Sequence, residues 1–325
     1  MACLAYQFPN EEIKVFTGEW IEETLENLPD DCFFITDFTK EKMFYFQIGQ
    51  TVDSIPESAL SYKEADDVFV CNQKAYLNGL QYFIDGFELF GIEKAIFSRI
   101  KLVGKDDASS AGLVFRKLAD KYKSQALVYL ASDEKFGTWM GATPEVLLSG
   151  DQSKIHSMAL AGTKNNSIIQ WTKKEQEEHQ YVADYVLDKI NIQGPKELRV
   201  SPTETVQKGA VFHLQTSYEF QLEKEKWNAL MQDLHPTPAV CGTPSQAAQD
   251  YILTNEPHER EFYTGLVGWR GKDQLSVYVN LRCMQVLKND FALYVGGGIT
   301  QASNIANEWQ ETEDKSGTLL DVIFE

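Results

Sequence analysis

The stretch "LSVYVNLRCMQV" at residues 275–286 is followed closely by "FALYVGG" at residues 291–297. Both runs are rich in β-branched and aromatic residues, which is typical of β-strands. The gap between them is too short for a helical crossover, so adjacent strands here are expected to be antiparallel. Because several strands follow one another across 263–297 without an intervening helix, we predict an α+β fold in which helices pack outside antiparallel sheets.

Similar patterns occur along the rest of the chain. Further strands are predicted at 32–38, 94–103, 126–131 and 210–222. Helical periodicity is found near 72–90, 109–123, 172–190, 244–255 and 303–323. The sequence contains no internal repeat, low-complexity tract or long linker. We therefore expect one domain over 1–325, with a less defined portion at 1–90 and the motif-bearing portion at 91–325.

Charge and cysteine content restrict the classes of partner. The 325 residues include 48 acids and 30 bases, a net charge of −18, which disfavours binding to nucleic acid or to an anionic membrane. Five scattered cysteines without a C-x-x-C pair argue against a disulfide framework and against a zinc site. No apolar run reaches the length of a membrane span, and the first residues lack a basic leader pattern. A cytoplasmic location is expected.

Two segments place pairs of glutamates three residues apart beside apolar stripes. In "KKEQEEHQYV" (173–182), Glu175 forms a T-x-x-E capping box with Thr172, and Glu178 shares a helical face with Val182 and Tyr185. In "NEWQETEDK" (307–315), Glu308 and Lys315 flank an apolar stripe, and Glu311 lies further round the helix. That stripe is predicted to consist of Ile305, Trp309, Ser316, Leu320 and Ile323.

These acids have ordinary interpretations as well. Glu175 fits a plain helix cap equally well, Glu178 could be a charge at the rim of a packed face, and the second run could be a solvated face. Two carboxylates about 4 Å apart repel by roughly 4 kcal/mol at an effective dielectric of about 20. Four acids gathered at an apolar boundary would therefore need a divalent cation. Oxygen ligands without nearby Cys or His pairs favour Mg²⁺ over Zn²⁺.

Seven motifs occur in the order found in chorismate-utilising enzymes, and the chain resembles that family from about residue 90 to the C-terminus. The motifs are "LAGTK" (160–164), "EEHQYVADYV" (177–186), "LHPTPAVCGTP" (234–244), "EREFYTGLVGW" (259–269), "LRC" (281–283), "YVGGGI" (294–299) and "EWQETEDK" (308–315). The family comprises isochorismate, salicylate, anthranilate and aminodeoxychorismate synthases. The resemblance implies a sandwich of antiparallel sheets, as in anthranilate synthase large subunits.

The resemblance also implies a metal site. Glu178 and Glu311 would ligate Mg²⁺, which would hold the ring carboxylate of chorismate. Glu175 and Glu308 would orient those ligands or their waters. A cation would explain how an acidic protein accepts a dianionic substrate.

Two residues are implied to carry the chemistry. Lys94, in "EKAIFSR" (93–99), matches the base that activates water, and Glu145, in "GATPEVLL" (141–148), matches the acid that protonates the leaving hydroxyl. Without the resemblance, Lys94 would fit a surface lysine at a strand end and Glu145 a turn residue after Pro144. A lysine acts as a base near neutral pH only where burial or a nearby cation disfavours its charge.

The remaining implied contacts concern the substrate. Arg282 and Tyr263 match residues that hold the enolpyruvyl carboxylate, and an arginine fork suits a carboxylate. The other implied substrate-binding residues are His213, Ala239, Gly297, Gly298 and Lys315. Taken alone, each has a bland explanation, such as a half-buried strand histidine or a helix salt bridge from Lys315 to Glu311.

Three positions favour water over ammonia as the nucleophile. Lys94 stands where the ammonia-using branches have glutamine, and Ala239 and "GTPS" (242–245) depart from those branches. We therefore predict an isochorismate synthase that needs no glutamine amidotransferase subunit and is a monomer. A salicylate synthase, which also eliminates pyruvate, stays open as the alternative. A non-catalytic binding module is disfavoured because the implied catalytic residues are all present. Whether the product serves quinone or siderophore synthesis is left open.

Overall fold

In a computed structural model, the described residues are 2–106, 109–164, 170–208 and 211–325. They contain strands and helices numbered here in chain order. The strands are β1 Ala2–Gln7, β2 Lys14–Glu23, β3 Cys32–Thr36, β4 Met43–Thr51, β5 Lys94–Gly104, β6 Leu127–Asp133, β7 Gly137–Thr143, β8 Val146–Asp151, β9 Lys154–Lys164, β10 Lys196–Val200, β11 Glu204–Lys208, β12 Val211–Gln221, β13 Gly242–Thr243, β14 Leu266–Arg270, β15 Gln274–Val279, β16 Cys283–Val286 and β17 Asp290–Thr300. The α-helices are α1 Gln73–Asp85, α2 Phe87–Phe90, α3 Ala111–Tyr122, α4 Lys173–Ile192, α5 Trp227–Leu234, α6 Ser245–Asn255 and α7 Ile305–Ile323.

The strands form one continuous ribbon in which each neighbouring pair is antiparallel. From one end the order is β13, β5, β17, β16, β7, β6, β1, β2, β4 and β3. It continues through β14, β15, β8, β9 and β12, whose far edge carries β11 and β10. The expected antiparallel α+β architecture is confirmed. The first 51 residues, which carry no family motif, supply four strands in the middle of this ribbon.

The ribbon folds over so that two layers face each other. Tyr6 on β1 stacks on Phe33 on β3 with ring centroids 5.0 Å apart, although two strands separate β1 from β3 along the ribbon. Aromatic rings from both layers, including Trp139 and Tyr278, continue this inner core. Burial of such rings is the main source of stability in a sandwich.

The helices cover the outer faces. α4 and α5 pack on the layer that contains β9 and β12, whereas α3 and α7 pack on β6, β7, β16 and β17. α1, α2 and α6 enclose a separate cluster around β5. None of the described helices has the length and apolarity needed to span a bilayer.

The predicted elements cover only part of the structure, because strands β1, β2, β4, β7 to β11 and β13 were not among them. The stretch 275–286 is two strands, interrupted at 280–282, where Arg282 adopts a left-handed φ of 49°. Helix α5 was not predicted, and the first residue of the predicted strand 210–222 lies outside the described residues.

The apolar stripe predicted for α7 was partly wrong. The side that packs most deeply consists of Thr312, Ser316, Leu319, Val322 and Ile323, while Ile305, Trp309 and Leu320 are only half-buried. These deeply packed residues follow helical spacing from Thr312, whose polar side chain concealed its place in the stripe.

Candidate active site

One cavity of about 290 Å³ collects nearly all of the residues proposed from the sequence. Its lining includes Lys94, Glu145, Glu175, Glu178, His213, Ala239, Tyr263, Arg282, Gly298, Glu311 and Lys315. The remaining two, Gly297 and Glu308, lie beside it, as described below. These residues come from distant parts of the chain, and a cavity of this kind is the usual form of a small-molecule site.

The cavity lies where the two ends of the ribbon meet. β5 and β17, near one end, supply Lys94 and Gly298, whereas β9 and β12, near the other end, supply Leu160 and His213. The acidic helices follow the same division, because α4 comes after β9 and α7 comes after β17. The site therefore depends on the folding of the whole ribbon.

Glycines in β17 make room for charged side chains. Gly298 pairs with Ile96 of β5, and a Cβ placed on Gly298 would lie 2.9 Å from Cε of Lys94. A Cβ on Gly297 would lie 3.2 Å from Oε2 of Glu308 and 3.6 Å from Oε1 of Glu311. Any side chain at Gly298 would displace Lys94, and one at Gly297 would crowd both carboxylates.

The carboxylates of α7 also have a cation beside them. Nζ of Lys315 lies 2.7 Å from Oε1 of Glu311 and donates to the carbonyl oxygen of Gly296 at 2.8 Å. The ammonium is half-buried at the cavity wall. It is therefore placed both to neutralise Glu311 and to meet an anionic ligand.

The carboxylate of Glu175 is engaged at the start of α4. Oε2 of Glu175 accepts from the backbone N–H of Thr172 at 2.7 Å, and the Thr172 hydroxyl caps the Glu175 N–H in return, which is the predicted capping box. Nζ of Lys164 lies 2.9 Å from the same oxygen. Burial alone would raise the pKa of Glu175, but Lys164 and Thr172 outweigh it and hold the pKa below its usual range.

The four glutamates lie around the cavity, but their carboxylates do not all converge on a single position. Within the four described ranges, no three His, Cys, Asp or Glu side chains are close enough to enclose a metal ion on their own. The donors are nonetheless all carboxylates, and two of them converge on the space beside Gly297. Mg²⁺ is commonly held by one or two carboxylates together with water and ligand oxygens, so the donor set fits this ion.

Glu145 has the environment expected of a general acid. Burial raises the pKa of its carboxyl to about 7, with partial offsets from Arg282 and Lys315. Near neutral pH the group is therefore protonated in a large fraction of molecules. Arg282 is itself largely withdrawn from water, which lowers its pKa, and its Nη1 donates to Oγ1 of Thr318 at 3.3 Å.

The other proposed contacts border the same space. His213 Nδ1 lies 2.6 Å from the carbonyl oxygen of Gly162, an acceptor, so this ring nitrogen carries the proton. Tyr263 is buried, which raises the pKa of its phenol, and its oxygen would lie 3.0 Å from a Cβ placed on Gly296. Ala239 contributes a small side chain to the lining of the cavity.

An ion pair beneath the cavity was not recognised from the sequence. Arg260 donates from Nε to Oε2 of Glu256 at 2.7 Å, and both side chains are about 3% exposed. The same guanidinium donates to the carbonyl oxygens of Ile96 and Val240, each at 3.0 Å, and both of these residues line the cavity. Arg260 thus connects two segments of the cavity lining through their backbone carbonyls. Arg260 lies in the motif "EREFYTGLVGW", which was the available signal.

Comparisons with known proteins point to one family. A family described as chorismate binding enzyme matches residues 40–324. Isochorismate synthase EntC of Escherichia coli strain K12 is 30% identical over 247 residues, which cover 71% of this chain and 62% of that protein. The chain thus spans about three fifths of this curated relative.

Solved structures show the same fold. The menaquinone-specific isochorismate synthase MenF of Escherichia coli superposes with a TM-score of 0.82 at 18% identity, covering 99% of this chain and 89% of that one. Anthranilate synthase component I of Streptococcus pneumoniae gives 0.67 at 16% identity, covering 97% and 89%. With the family match across most of its length, this chain belongs to the chorismate-binding enzymes.

Proposed function

We propose that this protein is a Mg²⁺-dependent isochorismate synthase that converts chorismate to isochorismate. The observation that carries the proposal is the presence of Lys94, Glu145 and Arg282 in one cavity with carboxylates from both acidic helices. A relative that is 30% identical carries the name isochorismate synthase, which supports the same reaction.

The reaction adds water at C2 of the ring while the C4 hydroxyl departs and the double bonds shift. Lys94 takes a proton from the attacking water, and Glu145 gives a proton to the departing oxygen, so one water enters and one leaves. Each proton transfer typically contributes about 10²–10⁴-fold to the rate. The raised pKa of Glu145 keeps the acid in its protonated form near neutral pH.

The remaining residues hold the substrate. Arg282 and Tyr263 bind the enolpyruvyl carboxylate, and Lys315 adds positive charge at the same wall. Glu178 and Glu311 would hold Mg²⁺, with Glu175 and Glu308 beside them. When bound, this ion supplies the charge that neutralises the ring carboxylate. Because water is the nucleophile, the reaction requires no amidotransferase subunit.

Product analysis tests the reaction directly. Purified protein is incubated with chorismate and Mg²⁺, and the products are separated by chromatography. A reversible mixture of chorismate and isochorismate is the expected result. Salicylate with pyruvate would establish the salicylate synthase alternative, an amino product with ammonium would place the chain in an ammonia-using branch, and unchanged chorismate would contradict catalysis.

Substitution of the proposed base is the sharper test. Lys94→Ala is expected to abolish measurable turnover while Mg²⁺-dependent chorismate binding persists in calorimetry. Lys101→Ala is the matched control, since Lys101 lies on the same strand but contacts Glu313 of α7 rather than the cavity. Full activity in Lys94→Ala would show that another group activates water.

A further inference from the structure

The two faces of β5 serve different parts of the molecule. Side chains alternate along a strand, so Lys94 and Ile96 point into the cavity whereas Arg99 and Lys101 point to the opposite face, where α7 packs. Arg99 is 2% exposed. The strand that carries the proposed base therefore also contacts the helix that carries Glu308 and Glu311.

The Arg99 guanidinium contacts three residues of α7. Nε donates to Oγ1 of Thr312 at 2.8 Å, and Nη2 forms an ion pair with Glu313. The guanidinium carbon also lies 3.9 Å from the centre of the Trp309 ring, which is within cation–π range. Contacts at three positions within five residues of one helix fix the rotation of that helix about its axis.

Rotation of α7 about its axis would move the two glutamates that are next in sequence to the residues Arg99 contacts. Glu308 precedes Trp309, and Glu311 precedes Thr312; both carboxylates point to the space beside Gly297. Side chains lie about 5–6 Å from a helix axis, so a rotation of about 5° moves a carboxylate by about 0.5 Å. Metal–ligand distances tolerate about 0.2 Å. A small rotation would therefore spoil a metal site without unfolding the helix.

We propose that Arg99 is a positioning residue that sets the carboxylates of Glu308 and Glu311 for a divalent cation. The proposal rests on the proposed function for the presence of that cation. Arg99 does not touch the substrate; it acts through Trp309, Thr312 and Glu313.

A general structural role makes a different prediction. Helix α7 is also anchored by Leu319, Val322 and Ile323 in a buried cluster, and its start is capped by Asn304. These anchors remain when Arg99 is altered. Arg99→Lys keeps the positive charge but loses the fork and the planar stack on Trp309. We expect a helix that stays folded and in place with less accurate carboxylate positions.

Cation binding without substrate is the test. Binding of Mn²⁺ alone is measured by electron paramagnetic resonance, and Mg²⁺ alone by competition. Arg99→Lys is expected to weaken the Mn²⁺ affinity about 10–100-fold, the usual effect of altering groups that orient metal ligands. The control is Lys101→Met, which removes the second cation on Glu313, 2.6 Å from Oε2, but leaves the Trp309 stack intact. Its affinity is expected to stay within about twofold of wild type.

A second variant keeps the test decisive if Arg99→Lys fails to fold. Thr312→Val removes the hydroxyl that accepts from Nε and that donates to the carbonyl oxygen of Trp309 at 2.7 Å. It is expected to weaken Mn²⁺ binding about 3–10-fold, with unchanged circular dichroism. Wild-type affinity in a folded Arg99→Lys or in Thr312→Val would overturn this proposal and leave the proposed function intact. Wild-type protein that binds Mn²⁺ without converting chorismate would overturn the proposed function only. Absence of any cation binding to wild type without chorismate would overturn this proposal alone, since product analysis with Mg²⁺ decides the proposed function.

Discussion

Helices α4 and α7 carry the same E-x-x-E spacing but use their acids differently. In α4, Glu175 is the third helical residue, so its carboxylate folds back on Thr172 and meets Lys164. In α7, Glu308 is the fourth helical residue, and Asn304 caps the helix with its own side chain by accepting from Ala306 and Asn307. A shift of one residue relative to the cap decides whether the first glutamate serves the helix or the space beside Gly297.

This difference separates a structural from a binding role. The capping box satisfies backbone donors at the start of α4, which stabilises the helix locally. The glutamates of α7 instead approach each other at a glycine, under the control of Arg99 on the neighbouring strand. We expect Glu178 and Glu311 to dominate cation binding, with Glu308 more important than Glu175.

Loss of Glu311 should give the largest effect. Glu311→Gln keeps the shape of the side chain but removes the negative charge, and we expect Mg²⁺-dependent turnover to fall at least about 100-fold. Glu178→Gln should fall comparably if the two helices share one cation. Steady-state rates across a Mg²⁺ titration measure both. A Glu178→Gln enzyme with wild-type metal dependence would mean that α7 alone holds the ion.

The pH dependence of kcat/KM should respond to a charge change on α7 but not to one beside α4. Because the acid must be protonated and burial raises the pKa of Glu145 to about 7, kcat/KM should decline above that pH, about tenfold by pH 8. Lys315 on α7 lowers this pKa. Lys315→Met should therefore move the alkaline limb to higher pH, whereas Lys164→Met, beside α4, should leave it in place. A shift to lower pH in Lys315→Met would contradict the assignment of the limb to Glu145.

The smallest expected effects concern the free energy of unfolding, for which Glu175 of α4 should matter more than Glu308 of α7. Glu175→Ala removes the capping carboxylate and should lower the free energy of unfolding by about 1 kcal/mol. Glu308→Ala relieves the repulsion between two carboxylates at Gly297 and should therefore lower that free energy by less than Glu175→Ala does. Denaturant titrations measure both. Equal destabilisation by the two variants would contradict the assignment of Glu175 to the helix cap and of Glu308 to the candidate site.

Much of this organisation could be predicted because local patterns and ordered motifs agreed. The strand pattern at 263–297 indicated antiparallel sheets, and the capping box at Thr172 located the start of α4. All thirteen proposed site residues lie in or beside one cavity. Their individual roles, and the metal, stay predictions.

The remaining features depend on contacts distant in the chain. Arg99 and Lys164 lie inside the quoted motifs, but only the folded chain brings Arg99 to Thr312 and Lys164 to Glu175. The Arg260 pair was hidden for the same reason, since its carbonyl partners Ile96 and Val240 come from two other segments. Of the four strands within residues 2–51 only β3 was predicted, although β2 and β4 pair entirely within this segment. The partners that join this segment to the rest of the ribbon, β6 and β14, follow much later in the chain.

The meeting of the two ends of the ribbon at the cavity has a consequence for unfolding. A ligand in the cavity contacts β5 and β17 on one side and β9 and β12 on the other. It therefore joins two pairs of strands that lie near opposite ends of the ribbon. The two ends of the ribbon cannot separate while such a ligand stays bound, so unfolding of either end requires its release. At a concentration one hundred times its Kd it would add about 2.7 kcal/mol to the stability of the entire chain, so saturation would protect even the motif-free strands from proteolysis.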